Sequence, residues 1–175
     1  MKPPVFIVTG VSGSGKTTFL RSLYKALSRE HIDVGGVLSE GTWKNDKRES
    51  FDLVDLKGGE RIRFCQREPD KNWDMIGPFY INPLGQAFGE MALFIEYLQN
   101  SKLIIIDEIG PLELQGKGWA KAFEKILKEL KVPIVISVRE KLVDEVVVKW
   151  DLSIIHKVSP DHDPQIFFNL IREYL

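Results

Sequence analysis

The chain is nearly without cysteine, holding only Cys65 among its 175 residues. A single thiol excludes an internal disulfide and any zinc site built on cysteine pairs, and it fits a reducing compartment. No apolar run approaches the roughly 20 residues of a membrane-spanning helix, and the opening MKPPVFIVTG has too short an apolar stretch for a secretion signal. Net charge is scarce as well. The 24 Lys and Arg residues against 25 Asp and Glu leave −1, so no bulk field favours nucleic acid or an anionic surface. His31, His156 and His162 show no metal-ligand spacing, and the chain has neither long internal repeats nor low-complexity tracts. These absences lead us to expect a soluble, cytoplasmic, monomeric protein with no membrane or nucleic-acid partner. At 43% hydrophobic residues, a chain of this length buries one adequate core, so residues 1–175 are expected to form a single domain.

What is present begins with an apolar run, Val5 to Thr9, that enters the stretch GVSGSGKT, Gly10 to Thr17. Behind it, Phe19, Leu20, Leu23, Tyr24 and Leu27 recur at helical spacing. Strand, glycine loop and helix are the context that confirms G-x-x-x-x-G-K-[ST] as a phosphate-binding P-loop. The glycines let successive amide N–H groups turn around a phosphate, and the helix N-terminus adds partial positive charge. Lys16 then reaches the β- and γ-phosphates, and the Thr17 hydroxyl is placed for Mg²⁺. The nucleotide-binding candidates here are Gly10, Val11, Ser12, Gly13, Ser14, Gly15, Lys16, Thr17 and Thr18. The substrate class expected is nucleoside triphosphate, and no Asn-Lys-x-Asp tetrapeptide marks the chain as a guanine-specific switch.

A second apolar strand opens the stretch LIIIDEIG, Leu103 to Gly110, where four apolar residues run into two acids, Asp107 and Glu108. A P-loop demands a carboxylate at a neighbouring strand end for its Mg²⁺, and Asp107 fills that place with Thr17. Glu108 has three readings: a base toward water, a base toward another acceptor, or a helix-capping or salt-bridging acid. Glu113 reads equally well as a first-turn helix carboxylate. Phosphoryl transfer also wants positive charge beyond Lys16. Arg139, past the strand PIVISV, is the preferred candidate because the carboxyl ends of parallel strands face the ligand crevice. Arg48, Arg61, Arg63 and Arg67 are the alternatives, with Arg61, Arg63 and Arg67 on one face that reads foremost as solvated.

Apolar strands alternating with amphipathic helices imply a mainly parallel sheet flanked by helices on both faces. Residues 34–82 break the pattern and are expected to form an antiparallel hairpin insertion. Gly58-Gly59 as a two-residue turn would put Leu53 opposite Phe64 and Phe51 opposite Gln66, with Phe51, Leu53, Ile62 and Phe64 on one face. Trp43 reads as a loop aromatic tucked onto its own hairpin.

Read together and in order, FIVTGVSGSGKTTFL, GGVLSEG, GPFYIN and LIIIDEIGPLEL resemble the small P-loop nucleoside-triphosphatase family, the cancer-related type. DEIGPLEL is the selective block, since the family writes Asp-Glu-Ile-Gly-Pro-Met-Glu-Leu there. The resemblance implies a RecA-like core and Mg²⁺-dependent hydrolysis of nucleoside 5′-triphosphates, ATP and GTP among them. It places the nucleotide against Gly10 to Thr17 and against Leu103, Ile104, Ile105, Ile106, Asp107, Glu108, Ile109 and Gly110, and it carries over Glu40. The expected catalytic residues are Lys16, Glu108 and Arg139, with Thr17 and Asp107 on the metal. Where the family has an Asn-Arg-Asp stretch, this chain has SPDHDP, Ser159 to Pro164. A nucleoside or nucleotide kinase and a nucleotide-gated binding module are the two competing readings.

Overall fold

The computed structural model describes residues 2–175. Its strands are β1 (Val5–Gly10), β2 (Val34–Lys44), β3 (Lys47–Asp55), β4 (Arg61–Gln66), β5 (Asp74–Ile76), β6 (Phe79–Ile81), β7 (Leu103–Ile106), β8 (Ile134–Arg139) and β9 (Ile154–Val158). All nine lie in one sheet of order β5-β6-β4-β3-β2-β7-β8-β1-β9. Strands β2, β7, β8, β1 and β9 pair in parallel, and β2 through β6 continue the sheet antiparallel. The antiparallel portion is therefore an extension of the sheet and not a hairpin set apart from it. The reason is the length of β2. Its first residues, Val34–Val37, pair with β7, while Val37–Lys44 run on to pair with β3.

Alternation along the parallel strands separates two cores. Val5, Ile7, Ile104, Ile106, Ile134 and Ile136 face α2 (Pro83–Ala92), α3 (Ile95–Leu98), α5 (Ala120–Glu129) and α6 (Val143–Trp150). Phe6, Val8, Leu103, Ile105 and Val135 face α1 (Lys16–Arg29) and α7 (Pro164–Arg172), packing on Phe19, Leu20, Leu23, Phe167 and Phe168. Helix α1 stops where His31 turns left-handed at φ 56°, with the His31 amide donating to Ser28 and the Ile32 amide to Leu27. That pairing satisfies carbonyls the helix would otherwise leave open. Among the described residues no helix is long and apolar enough to cross a membrane.

Three details depart from the sequence expectation. First, Gly58 and Gly59 are not the central pair of a two-residue turn. Asp55 accepts from the Lys57 and Gly58 amides and from the Tyr97 hydroxyl, holding a four-residue loop, Leu56 to Gly59, closed by the Asp55 amide on the Glu60 carbonyl. Leu53 therefore lies opposite Ile62, and a bulge brings Phe51 opposite Cys65. A shift of two residues preserves the faces of a strand, so Leu53, Ile62 and Phe64 still share one core. Second, a tighter turn closes β2 on β3 at Asn45-Asp46, both left-handed at φ 49° and 59°; short polar side chains tolerate that conformation. Trp43 accordingly stands in strand β2 and not in a loop. Third, β7 is not beside β1, because β8 lies between them.

Candidate active site

The carboxyl ends of β1, β7 and β8 meet at one edge of the sheet, where Gly10 is in register with Arg139 and Ile106 with Ile136. The loop after β1 turns through left-handed Gly13 and Gly15, at φ 78° and 94°, which glycine alone adopts without penalty. Gly15 caps α1, so the first helical residue is Lys16. The Lys16 amine donates to the Gly10 carbonyl at 3.0 Å and the Val11 carbonyl at 2.8 Å. Burial lowers its pKa, and the charges of Glu108 and Asp107 work against that.

Asp107 follows β7 directly and is 1% exposed. Its Oδ2 accepts from the Thr17 hydroxyl at 2.7 Å and the Ser39 amide at 3.1 Å, and its Oδ1 accepts from the Ser137 hydroxyl. Burial raises the Asp107 carboxyl, while those hydrogen bonds and Lys16 oppose the rise. Asp107 thus reaches the P-loop from one strand away, and Ser137 holds it there. This serine stands on the intervening β8, fully buried, and braces the end of β7 by donating to Asp107 and accepting from the Glu108 amide at 2.8 Å, while Asp107 itself spans to Thr17.

Glu108 has φ 63°, a conformation that costs about 1–3 kcal/mol for a residue with a side chain. The turn leaves the sheet and aims the carboxylate into a cavity of about 720 Å³ that Lys16, Thr17 and Arg139 also line. Desolvation by the cavity walls pushes the Glu108 carboxyl up to about 7, with Asp107 adding to the rise and Arg139, Arg48 and Lys16 opposing it. Its surface is open to the cavity, so water in the open cleft moderates that rise. Glu113 has the other fate open to it from the sequence. It lies in α4 (Pro111–Leu114), is 4% exposed, and accepts from the Gly110 amide at 2.9 Å and the Trp119 amide at 3.0 Å. It ties the loop after Glu108 to the start of α5.

The remaining candidates divide. Ser12, Gly13, Gly15, Thr18, Ile109 and Gly110 line the cavity with Asp107 and Glu108, whereas Gly10, Val11 and Ser14 do not. Leu103, Ile104, Ile105 and Ile106 do not reach it. They are wholly buried inside the sheet, because β7 is covered on both faces, and their part is to deliver Asp107. Glu40 is taken up by ion pairs to Arg21 and Arg61. Arg61 and Arg63 pair with Asp52 on the outer face, but Arg48 turns into the cavity. The Ser159 to Pro164 stretch joins β9 to α7, and Pro160 lies 3.5 Å from where a Cβ on Gly10 would stand.

Ser137 was the residue that motif reading passed over. Its signal was one hydroxyl in the otherwise apolar strand PIVISV, since a buried polar group needs a partner. Among the described residues no cluster of three or more His, Cys, Asp or Glu could hold a metal ion. A Thr hydroxyl beside a carboxylate supplies just two hard oxygens, a set that fits a cation completing its shell with phosphate and water.

Comparison with known proteins bears on this arrangement. The sequence profile of the NTPase family matches residues 5–166. Nucleoside-triphosphatase THEP1 of Pyrococcus abyssi is 28% identical over 168 residues, covering 96% of this chain and 90% of the relative. The protein of that name from Thermotoga maritima is 33% identical over 126 residues, or 71% of this chain and 68% of the relative. Among solved structures, a human cancer-related nucleoside triphosphatase superposes with TM-score 0.66 at 23% identity, covering 97% of this chain and 96% of that one. THEP1 from Aquifex aeolicus superposes at 0.65 with 22% identity, covering 98% and 96%. At those identities the two structures speak for the shared P-loop α/β fold. With its profile matched over nearly the whole length and the loop, acidic strand end and cavity in one place, the chain belongs to the nucleoside-triphosphatase (NTPase) family.

Proposed function

We propose that this protein hydrolyses nucleoside 5′-triphosphates to diphosphate and phosphate, with Mg²⁺ as cofactor and ATP and GTP among its substrates. One observation carries the reading: the Asp107 carboxylate stands 2.7 Å from the Thr17 hydroxyl while Glu108 turns out of the sheet into the same cavity as Lys16. The amides of Gly13 and Gly15 and the N-terminus of α1 receive the phosphates. Lys16 leaves the loop carbonyls to donate to the β- and γ-oxygens. Thr17 and Asp107 would hold Mg²⁺, which when bound offsets charge on the triphosphate. Glu108, held by Ser137 through its amide, orients the attacking water and accepts its proton. Arg139, at the end of β8, adds positive charge at the transferring group. Oriented donors aimed at charge that develops during reaction are the largest source of rate enhancement at such sites.

The test follows the γ-phosphoryl group. Triphosphate labelled there and incubated with the protein, Mg²⁺ and a panel of nucleosides and nucleotides is expected to place label in inorganic phosphate alone. Label in an acceptor would replace hydrolysis by a kinase reaction. Glu108→Gln is expected to bind nucleotide nearly as before and to release phosphate at least about a hundredfold more slowly; an equally active variant removes Glu108 from the role of base.

A further inference from the structure

Four arginines lie on or beside β3 and β4, and three of them are committed to other partners. Arg61 pairs with Glu40 and Asp52, and Arg63 with Asp52. Arg67 donates to the Arg48 carbonyl and lies 4.8 Å over the Phe79 ring. Arg48 differs. Among the described residues no carboxylate forms an ion pair with it, although it is only partly exposed.

Its guanidinium is nevertheless held firmly. It stacks 4.4 Å over Trp43, its partner across β2 and β3, and lies 5.3 Å from the centre of Phe51. Beneath it is Gly41, where a Cβ would stand 1.7 Å from Nη1; any other residue there displaces the arginine. Trp43 in turn reaches the P-loop, its Cη2 lying 3.8 Å from where a Cβ on Gly13 would stand. Aromatic faces hold a cation without neutralising it, whereas a carboxylate would have cancelled its charge. The consequence is a full positive charge fixed on a shelf that leans against the phosphate loop and lines the cavity with Lys16 and Glu108. That charge is felt at both residues, adding to the lowering at Lys16 and opposing the rise at Glu108.

We propose that Arg48 is a catalytic residue that donates to the γ-phosphate oxygens during hydrolysis, and that Trp43, Phe51 and Gly41 are positioning residues for its guanidinium. The inference rests on the hydrolytic reading above. In that step a water oxygen forms a bond to the γ-phosphorus while the bond to the β–γ bridging oxygen breaks. The water proton passes to Glu108, and the diphosphate leaves. Arg48 makes and breaks no covalent bond; it stabilises the charge spread over the equatorial oxygens, which a planar fork of donors suits better than an ammonium.

Phosphate release at saturating MgATP and MgGTP tests this. Arg48→Ala is expected to lower kcat about a hundredfold or more while KM moves by less than about threefold, with thermal unfolding unchanged. Millimolar guanidinium chloride should restore part of the rate to Arg48→Ala and none to Lys16→Ala. Gly41→Ala should slow the otherwise unchanged protein but add nothing to Arg48→Ala, because it acts only by moving that side chain. An Arg48→Ala protein within about twofold of the unchanged rate overturns the catalytic assignment. Equal slowing by Gly41→Ala in both backgrounds overturns the positioning role. If the unchanged protein releases no phosphate at all, the hydrolytic reading falls and this inference with it, an outcome distinguishable from failure of Arg48 alone.

Discussion

Replacing Ser137 with alanine removes one hydroxyl and two hydrogen bonds from a position with no solvent contact. One bond is donated to the buried Asp107 carboxylate, and the other is accepted from the Glu108 amide. A hydrogen bond to a charged group contributes about 1.5–3 kcal/mol, and a buried amide left without a partner costs about 1–3 kcal/mol. Partial relaxation brings the expected loss to roughly 2–4 kcal/mol. For a domain of this size that lowers the melting temperature by roughly 5–15 °C. Activity should fall as well, since the left-handed Glu108 turn loses its anchor and the carboxylate its aim. The fitting control is Ser101→Ala. Ser101 is likewise buried, at 3% exposure, but its Oγ has no hydrogen-bond partner. Loss of that desolvated hydroxyl should leave stability unchanged or raise it. Calorimetry on both variants, with phosphate release measured alongside, decides the matter. If Ser137→Ala melts within about 1 °C of the unchanged protein, or if both serines behave alike, the claim that Ser137 anchors Asp107 and Glu108 fails.

Three further outcomes are expected. Glu113→Gln keeps the shape of the side chain but sets an amide NH₂ against one of the two backbone donors, so it should cost about 1–3 kcal/mol of stability in denaturant titration while kcat per folded molecule changes little; a large selective loss of kcat would return Glu113 to the chemistry. Gly36→Ala should prevent folding, because Gly36 has φ 110° and a Cβ there would lie 1.9 Å from the Ile105 carbonyl oxygen in the neighbouring strand; a soluble variant with unchanged melting would refute that close approach. Burial pushes the Cys65 thiol up to about 12 against about 8.5 in an unfolded chain. Near pH 8.5 its thiolate fraction, and hence its alkylation rate in the native state, should be on the order of a thousandfold below that of the denatured protein, and comparable rates by mass spectrometry would contradict it.

The elements that could be read early are those whose cause is local. Strand, loop and helix around Lys16 follow from an apolar run, glycines at positions that turn left-handed, and a 3.6-residue apolar stripe. The split of the sheet into two faces follows from alternation, and it survived the mistaken turn at Gly58-Gly59 because the register moved by two residues at Leu53. Asn45-Asp46 was missed because neither residue is glycine, although both adopt a left-handed turn. Arg48 was legible only as one of several arginines. Which of them entered the cavity depended on Asp52 and Glu40 engaging Arg61 and Arg63, and on Trp43, Phe51 and Gly41 making a seat for the fourth.

By itself the sequence determined that a P-loop follows the first strand and that an acid pair ends a buried strand, because both are patterns within one short segment. Only the tertiary structure decided how they meet. Strand order put β8 between them, so Asp107 reaches Thr17, ninety residues away in the chain, across the end of β8, and Ser137 on that strand braces it there. The two acids parted for a related reason. Asp107, one residue past β7, was enclosed by three donors, whereas one left-handed residue turned Glu108 into the open cavity, and no local pattern specifies which of two adjacent carboxylates a neighbouring strand will hold.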